Sequence, residues 1–369
     1  MSQYLEPFLR RVQSENLNVI YAQVRTGGVV TEDYQAFPKK TRLNMMSVSK
    51  SVVSAGTGIA LHEGLISLDE SVCKAFEAYL PAVLSPQLEQ LRVIHLLTMT
   101  SGLASALFFT DDPERYQVQD WISYFFHADF SDTPGTKFLY SNFNTYILNA
   151  LIETRAGENM LEYLRHRLFE PLGIGNPDWT LCPKGHCYAA NGLYLTIDEF
   201  GNFGQMLLEG GRYQGRQLVP AEYMAAATRK QVETQNRYPE GTPQSYGYGY
   251  QFWMTEIPDT FLCSGNDGHA VVCKGSAGLV GHGVHDAQQC VGEGHTGQAL
   301  GVVHGVALGH ITIVAVHQIA LDHADGKDSQ RVGVVAVCGG NISLHSVSHG
   351  VHTGVGNQLL GHSLSQIGV

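Results

Sequence analysis

The chain has 369 residues, of which 44% are hydrophobic and 15% are charged. These values are typical of a soluble globular protein rather than a disordered one, and the length allows one large domain or two closely joined domains. The formal net charge of -11 argues against nucleic acid or an anionic membrane as a partner, because both require a basic surface. An acidic surface that aids solubility is sufficient to explain this charge.

Two features of the sequence predict a cytoplasmic protein. The first residues, MSQYLEPFLRRVQSENLN, lack the basic start and apolar run of a secretory signal, and no stretch approaches the ~18 uninterrupted apolar residues of a membrane span. The seven cysteines are odd in number and form no C-x-x-C pair. We therefore expect free thiols in a reducing compartment rather than a disulfide framework.

The pattern of apolar residues predicts helices and strands in the following order. Residues 4–12 have the spacing of a helix face, and NVIYAQVRTGGVV predicts a strand, a Gly-Gly turn and a returning strand. A long helix rich in small apolar residues is expected from Ser47 to Gly64. Further helices are predicted over 90–99, 119–127, 143–156, 159–169, 196–209 and 220–229, with turns rich in glycine and proline between them.

The composition changes abruptly after Gly268, and we refer to residues 269–369 as the tail. All 17 tyrosines, 15 phenylalanines, three tryptophans, 13 prolines and eight methionines precede the tail, which holds 12 of the 17 histidines and 19 of the 41 glycines. The simultaneous loss of five residue types favours an out-of-frame translation over a fused unrelated segment or a divergent half-domain. Two runs in the tail are still β-prone, HITIVAVHQIAL and RVGVVAVC.

One interpretation of the tail histidines is a metal site, with His282 and His285, or His345, His349 and His352, as its ligands. No cysteine and histidine spacing typical of zinc accompanies them, and the surrounding glycines disfavour a helix. We therefore predict no metal site.

Residues 47–50 form an S-x-x-K motif at the predicted start of the long helix. Residues three apart share a helix face, so Lys50 is expected beside the Ser47 hydroxyl. A serine needs a base to become a nucleophile, and a lysine can be that base if burial or nearby positive charge lowers its pKa. The helix start adds N–H groups where an oxyanion would form. The motif alone is weak, because a serine near a helix start and an exposed lysine produce the same letters.

A second motif, Tyr140-Ser141-Asn142, follows about 90 residues later, inside TPGTKFLYSNFNTYILNALIETRAG. A Y-x-N loop that enters a helix can direct the phenol at the nucleophile while the asparagine amide holds Lys50 or a substrate carbonyl. A tyrosine whose pKa is lowered by a neighbouring ammonium can pass the proton to a leaving group. A half-buried aromatic residue at a loop edge is the alternative interpretation of Tyr140.

Five blocks of the sequence are together more specific than any single motif. They are MSVSKSVVSAGTGIALHEGLISLDESV, LRVIHLLTMTSGLAS, PGTKFLYSNFNTYILNALIETRAG, YLRHRLFEPLGI and GLYLTIDEFGNFGQMLLEGGRYQGRQLVP. In this order they resemble the β-lactamase-related serine hydrolase family, which includes class C β-lactamases, D-alanyl-D-alanine carboxypeptidases and related esterases and amide hydrolases. The resemblance covers residues from about 15 to 268.

The resemblance implies Ser47 as the acylated nucleophile, Lys50 and Tyr140 as the pair that moves the proton, and Asn142 as a substrate-orienting residue. It implies hydrolysis of an acyl-enzyme without a metal or an organic cofactor. The implied fold is α+β, in which a mixed, mainly antiparallel sheet flanked by helices adjoins an all-helical lobe. The site is expected in the cleft between the two.

The third motif of the family is Lys or His, then Thr or Ser, then Gly, on an edge strand whose backbone supplies one oxyanion donor while the nucleophile's own N–H supplies the other. Residues 263–265, Cys-Ser-Gly, follow YGYGYQFWM at the spacing that the resemblance implies, but they lack the basic residue. Residues 295–297, His-Thr-Gly, match the letters but lie some 30 residues too late, within the tail. We therefore predict Ser264 and Gly265 as substrate-binding residues.

These observations predict a hydrolase domain over residues 1–268, with its sheet formed by 1–45 and 185–268 and its helical lobe by about 65–184. The tail is expected to be atypical. The predicted function is a serine hydrolase that acts on a small ester or amide. The alternative is a catalytically inactive homologue that is a binding or scaffold module. The hydrolase requires the Ser47 hydroxyl, whereas the scaffold does not.

Overall fold

The computed structural model describes residues 5–14, 19–26, 28–38, 40–108, 113–240, 242–256, 259–265, 270–274 and 311–317. Within these ranges the chain combines helices with antiparallel sheets, which confirms the predicted α+β class.

Each helix predicted from the sequence is confirmed in the described ranges. The helix predicted over 159–169 continues after α8 as a π-helical segment at Arg165–Phe169. Two four-residue helices, α3 and α4, were not predicted. The helices are α1 Leu5–Ser14, α2 Ser49–His62, α3 Val72–Ala75, α4 Pro86–Glu89, α5 Val93–Leu97, α6 Trp121–Phe126, α7 Asn142–Ala156, α8 Met160–Leu164, α9 Ile197–Leu208 and α10 Ala221–Ala227.

Strands of the described ranges form one large sheet and two small ones. The large sheet has six strands in the order β2-β1-β11-β10-β9-β8, and all five pairs of neighbouring strands are antiparallel. The strands are β1 Val19–Thr26, β2 Val29–Gln35, β3 Leu43–Asn44, β4 Asp178–Trp179, β5 Leu193–Leu195, β6 Arg212–Tyr213, β7 Arg216–Gln217, β8 Trp253–Met254, β9 Thr260–Ser264, β10 Ala270–Lys274 and β11 Ile311–His317.

The predicted hairpin is formed by β1 and β2. Its turn passes through Gly28, whose φ of 82° lies in the left-handed region that glycine adopts without a steric penalty. Strand β1 is buried, whereas most of β2 is exposed at the edge of the sheet. The apolar residues of VIYAQV therefore lie in the core, whereas β2 forms the exposed edge of the sheet.

Two strands of the large sheet come from the tail. Strand β11 pairs with β1 on one side and with β10 on the other, and it confirms the β-prone character of HITIVAVHQIAL. The second β-prone run, RVGVVAVC, lies outside the described residues. The division of the chain at residue 268 and the out-of-frame origin of the tail stay predictions.

Helices α2 and α7 lie in the middle of the described fold. Residues 49–60 of α2 and 142–153 of α7 are buried on every face, although both stretches include polar side chains. Helix α7 begins at the N-cap Ser141, whose Oγ accepts a hydrogen bond from Phe143 N, and it ends before Gly157 with a φ of 73°. The predicted motifs therefore stand at the starts of the two most buried helices.

A buried arginine joins the large sheet to α9. Arg25 is 4% exposed, and its guanidinium donates to Gln23 Oε1 at 2.7 Å, to Asn202 Oδ1 at 2.6 Å and to Asp198 O at 3.0 Å. Burial lowers the Arg25 pKa, and Asp198 opposes this change. These bonds satisfy a charge that would otherwise be costly to bury.

No helix within the described ranges is both long enough and apolar enough to cross a membrane. Cys73, Cys182, Cys187 and Cys263 are buried free thiols, in agreement with the expectation from the cysteine count.

Candidate active site

Ser47 lies on a 3-10 turn, Met46–Val48, that leads directly into α2. Its side chain is partly exposed, whereas the helix beyond it is buried. Met46 has a φ of 48°, a left-handed conformation that is uncommon for a residue with a side chain and is found preferentially at functional sites. Asn44 fixes this turn, because its Oδ1 accepts from Met46 N at 2.9 Å and from Gly192 N at 3.2 Å.

Lys50 lies beside the serine hydroxyl, as the motif predicts. Its Nζ is 2.8 Å from Ser47 Oγ and 2.9 Å from the backbone oxygen of Ala190. The lysine is only 1% exposed, and burial lowers its pKa well below the ordinary value. No charged group within the described ranges opposes this effect. A neutral amine within hydrogen-bond distance of a serine hydroxyl can accept its proton.

The hydroxyl of Tyr140 hydrogen-bonds to the Ser47 side chain. The Lys50 Nζ is 4.9 Å from the centre of the tyrosine ring. Burial raises the pKa of Tyr140, and the bond to Ser47 only partly offsets this effect. The expected lowering of the tyrosine pKa by an ammonium is therefore wrong. The reason is that burial disfavours the charged form of Lys50 as well as the phenolate.

An aromatic cluster surrounds the Tyr140 ring. Trp253 stacks on it with ring centres 5.4 Å apart, and Tyr248 contacts both rings edge-on. Phe138 and Tyr238 also pack against Trp253. We define the four residues around Tyr140, which are Phe138, Tyr238, Tyr248 and Trp253, as the aromatic wall. The wall holds the Tyr140 phenol in one orientation beside the nucleophile.

Asn142, the first residue of α7, is 5% exposed. Its Nδ2 donates to Phe108 O at 2.8 Å and to Tyr188 Oη at 3.2 Å, whereas its buried Oδ1 has no hydrogen-bond partner among the residues that the structure describes. Tyr188 Oη itself lies 2.9 Å from Phe108 O, so both contacts of Nδ2 are on the same side of the amide. The role of Asn142 as a substrate-orienting residue stays a prediction.

The third predicted segment also reaches the nucleophile. Ser264 ends β9 and is half-buried, and Gly265 follows it against the 3-10 turn. A Cβ atom added at Gly265 would lie 2.6 Å from Met45 O and 3.1 Å from Ser47 N. The close approach of two backbones therefore requires glycine here. The alternative segment at 295–297 lies outside the described residues, as do the histidines considered as metal ligands.

We expect Gly265→Ala to destabilise the fold and displace Ser47. The added methyl group has no room against the 3-10 turn, and overpacking of this kind costs about 1–3 kcal/mol in the free energy of unfolding. Thermal unfolding and the rate of labelling by a serine-reactive probe measure the two effects. Gly175→Ala is the control, because a Cβ there meets nothing within 4 Å. Equal labelling rates for both variants would contradict the close approach.

Two groups of the site could not be predicted from residue types, because they are backbone oxygens. The Ala190 oxygen that contacts Lys50 and the Phe108 oxygen that orients Asn142 are backbone atoms. Within the described ranges, no group of three or more His, Cys, Asp or Glu residues is arranged to hold a metal ion.

Comparison with known proteins gives matches over most of the chain. Residues 10–304 match the family model Beta-lactamase, a range that extends past residue 268 into the tail. The 6-aminohexanoate-dimer hydrolase of Paenarthrobacter ureafaciens is 24% identical over 268 residues, which cover 68% of this chain and 67% of that protein.

Solved structures give the same fold at low sequence identity. EstCE1, a hydrolase with promiscuous acyltransferase activity, has a TM-score of 0.61 and 16% identity, with 87% of this chain and 96% of EstCE1 covered. The D-amino acid amidase of Ochrobactrum anthropi, solved in complex with L-phenylalanine amide, has a TM-score of 0.55 and 15% identity, with 84% and 89% covered.

Proposed function

This chain belongs to the beta-lactamase family, and from that premise we propose that it is a serine hydrolase that cleaves a small ester or amide through an acyl-enzyme on Ser47. The observation that carries the proposal is the 2.8 Å contact between Ser47 Oγ and the Nζ of Lys50, which is buried. Burial that favours the free amine gives Lys50 the character of a general base.

In the acylation step, Lys50 takes the proton of the Ser47 hydroxyl as Oγ forms a bond to the substrate carbonyl carbon. Backbone N–H groups of the 3-10 turn and of the third segment stabilise the oxyanion. When the bond to the leaving group breaks, the Tyr140 phenol donates a proton to it and regains one from the Lys50 ammonium. A raised tyrosine pKa suits this role, since the phenol stays protonated and ready to donate.

In the second step, water attacks the acyl carbon, and its proton returns through the same residues to Ser47 Oγ. This regenerates the free hydroxyl and releases the acid product. All groups used belong to the chain itself, so the proposed reaction requires neither a metal nor an organic cofactor.

The proposed substrate is a small molecule with one scissile ester or amide bond. The buried Asn142 Oδ1 is free among the described residues to accept a hydrogen bond, which favours a substrate that carries an N–H group near the scissile bond. Among the relatives, one is named for hydrolysis of the 6-aminohexanoate dimer and one is a D-amino acid amidase. These names support an amide more than an ester.

Covalent labelling tests the proposal. Purified protein is treated with a fluorophosphonate or a penicillin, and intact mass and peptide mapping locate any adduct. One adduct on Ser47, together with turnover of small esters or amides, is the expected result. A cooperatively folded protein that acquires no adduct and hydrolyses nothing would overturn the proposal and support the inactive scaffold instead.

We expect Tyr140→Phe to slow acylation by roughly 10²–10⁴-fold, the usual contribution of a positioned acid or base. The ring and its stacking on Trp253 are retained, so the fold and probe binding should change little. Stopped-flow acylation separates the maximal rate from the half-saturating probe concentration. Tyr213→Phe, on β6 away from the site, is the control. A Tyr140→Phe variant with the wild-type maximal rate would show that the phenol does not move the proton.

A further inference from the structure

Gln251 combines three features that the proposed mechanism does not use. It is 2% exposed, it has a left-handed φ of 66°, and it lies two residues before Trp253 of the aromatic wall. A residue with a side chain adopts this conformation only when the surrounding structure holds it there.

The hydrogen bonds of Gln251 reach three helices. Its Nε2 donates to Leu96 O and Leu97 O, both at 3.0 Å, at the end of α5. Its Oε1 accepts from Thr145 Oγ1 of α7 at 2.7 Å, and its backbone oxygen accepts from Ser51 Oγ of α2 at 2.8 Å. All side-chain polar atoms of this buried amide are thus engaged, and the bonds come from separate parts of the chain.

The contacts with Ser51 and Thr145 adjoin groups of the proposed site. Ser51 follows Lys50 directly, and Thr145 is three residues after Asn142 on the same helix face. The preceding residue strengthens the attachment to α2, because Tyr250 O accepts from Ser54 Oγ at 2.6 Å. One short segment therefore ties the helix with the nucleophile to the helix behind the tyrosine.

We propose that Gln251 is a positioning residue, which fixes the separation between the Ser47–Lys50 helix and the Tyr140–Asn142 loop for proton transfer. This role rests on the proposed function. Gln251 touches neither the substrate nor the reacting atoms. It acts by holding α2 and α7 in register and by presenting Trp253 to the Tyr140 ring.

Two substitutions at this position separate the side chain from the backbone. Gln251→Gly removes the side-chain amide but adopts the left-handed conformation without a steric penalty. Gln251→Ala removes the amide and carries a Cβ atom that disfavours this conformation. We expect both variants to lower the maximal rate of Ser47 acylation by roughly 10- to 100-fold, the loss that a small misplacement of reacting groups causes. The half-saturating probe concentration should change little, because the substrate contacts remain.

Thr145 offers a rescue test within the same network. Thr145→Val removes the hydroxyl that Gln251 accepts from, and Thr145→Ser retains it. We expect the valine variant to lose acylation rate as the Gln251 variants do and the serine variant to keep the wild-type rate. The pH at which acylation reaches half its maximum should rise in Gln251→Ala, because an opened site exposes Lys50 to water and lessens the effect of burial.

Gln205→Ala is the matched control, since Gln205 is equally buried but lies on α9 and bonds to Glu209. Its acylation rate and pH profile should be those of the wild type. A role confined to stability is indicated, and the proposal overturned, if folded Gln251→Ala reacts at the wild-type maximal rate with an unshifted pH profile. The proposal also fails if the Gln205 variant loses as much rate.

Hydrogen exchange tests the positioning role of Gln251 independently of the proposed function. In Gln251→Ala, amides of residues 47–54 and 140–146 should exchange faster than in the wild type and in Gln205→Ala. If wild-type protein forms no adduct on Ser47, the proposed function fails, and the exchange rates alone decide whether Gln251 joins the two segments. Unchanged exchange in both segments would overturn the positioning role.

Discussion

Replacing Ser47 by alanine is expected to abolish covalent labelling and to reduce hydrolysis by on the order of 10³-fold or more, because the acyl-enzyme cannot form without the hydroxyl. Ser47 is partly exposed on the 3-10 turn that precedes α2, so removal of one oxygen leaves the packing of the helix intact. Intact-mass measurement after treatment with a fluorophosphonate, and turnover of a chromogenic ester, give the two results.

A matched serine makes the test specific. Ser67→Ala changes a serine remote from the site in the sequence and should label and turn over like the wild type. Thermal unfolding of both variants should coincide with that of the wild-type protein. If Ser47→Ala still forms one adduct at the wild-type rate, the nucleophile is another residue and the proposed mechanism is wrong.

Replacing Lys50 by methionine is expected to lower acylation by roughly 10²–10⁴-fold, the contribution of a general base, while the fold is retained or stabilised. Methionine has a similar length and, unlike lysine, does not have to lose a proton when it is buried at neutral pH, so this cost to the free energy of unfolding is removed. Acylation rates and denaturant unfolding measure the two effects. Lys74→Met, at an exposed position on α3, is the control.

The pH dependence of acylation follows from the same lysine. Only the neutral amine accepts the Ser47 proton, so the wild-type rate should rise with pH through the lowered Lys50 pKa and then reach a plateau. No loss from tyrosine ionisation is expected up to about pH 10, the ordinary value for tyrosine, because the Tyr140 pKa is raised. A rate that falls as the pH rises from 7 to 9 would contradict this assignment of the base.

The stability of the fold should depend on pH with a defined sign. Between the lowered Lys50 pKa and the unfolded value of about 10.4, the unfolded chain binds a proton at this position that the folded chain does not. The contribution of Lys50 to the free energy of unfolding therefore increases as the pH rises through that window. Lys50→Met should lose this increase, whereas Lys74→Met should retain it, as pH-dependent denaturant unfolding can show.

Much of the fold could be predicted from local sequence patterns. The hairpin of β1 and β2 follows from alternating apolar residues around a Gly-Gly turn, and α7 follows from its periodicity between Ser141 and Gly157. These signals depend on neighbours within a few residues, so they can be read without the tertiary structure. The pairing of β11 with β1 could not be read in this way, because it joins residues almost 300 positions apart.

The candidate site, like the fold, could be predicted from the sequence only in part. Spacing along one helix turn is sufficient to place Lys50 beside Ser47, and the structure places the two atoms 2.8 Å apart. The predicted direction of the Tyr140 pKa was wrong, because the sequence does not give the burial that disfavours charge on both partners. Gln251 was a visible polar residue in an aromatic run, but nothing local indicated its bonds to three helices.

By itself, the sequence determined the chemical groups and their local order: a serine and a lysine one helix turn apart, a Y-x-N entry to a second helix, and a glycine at the end of the third segment. The tertiary structure alone decided their environment. Lys50 contacts Ala190 across 140 positions, and Ser51 contacts Gln251 across 200. Burial and such long-range contacts set protonation and separation, because both depend on which distant segments exclude water from a side chain.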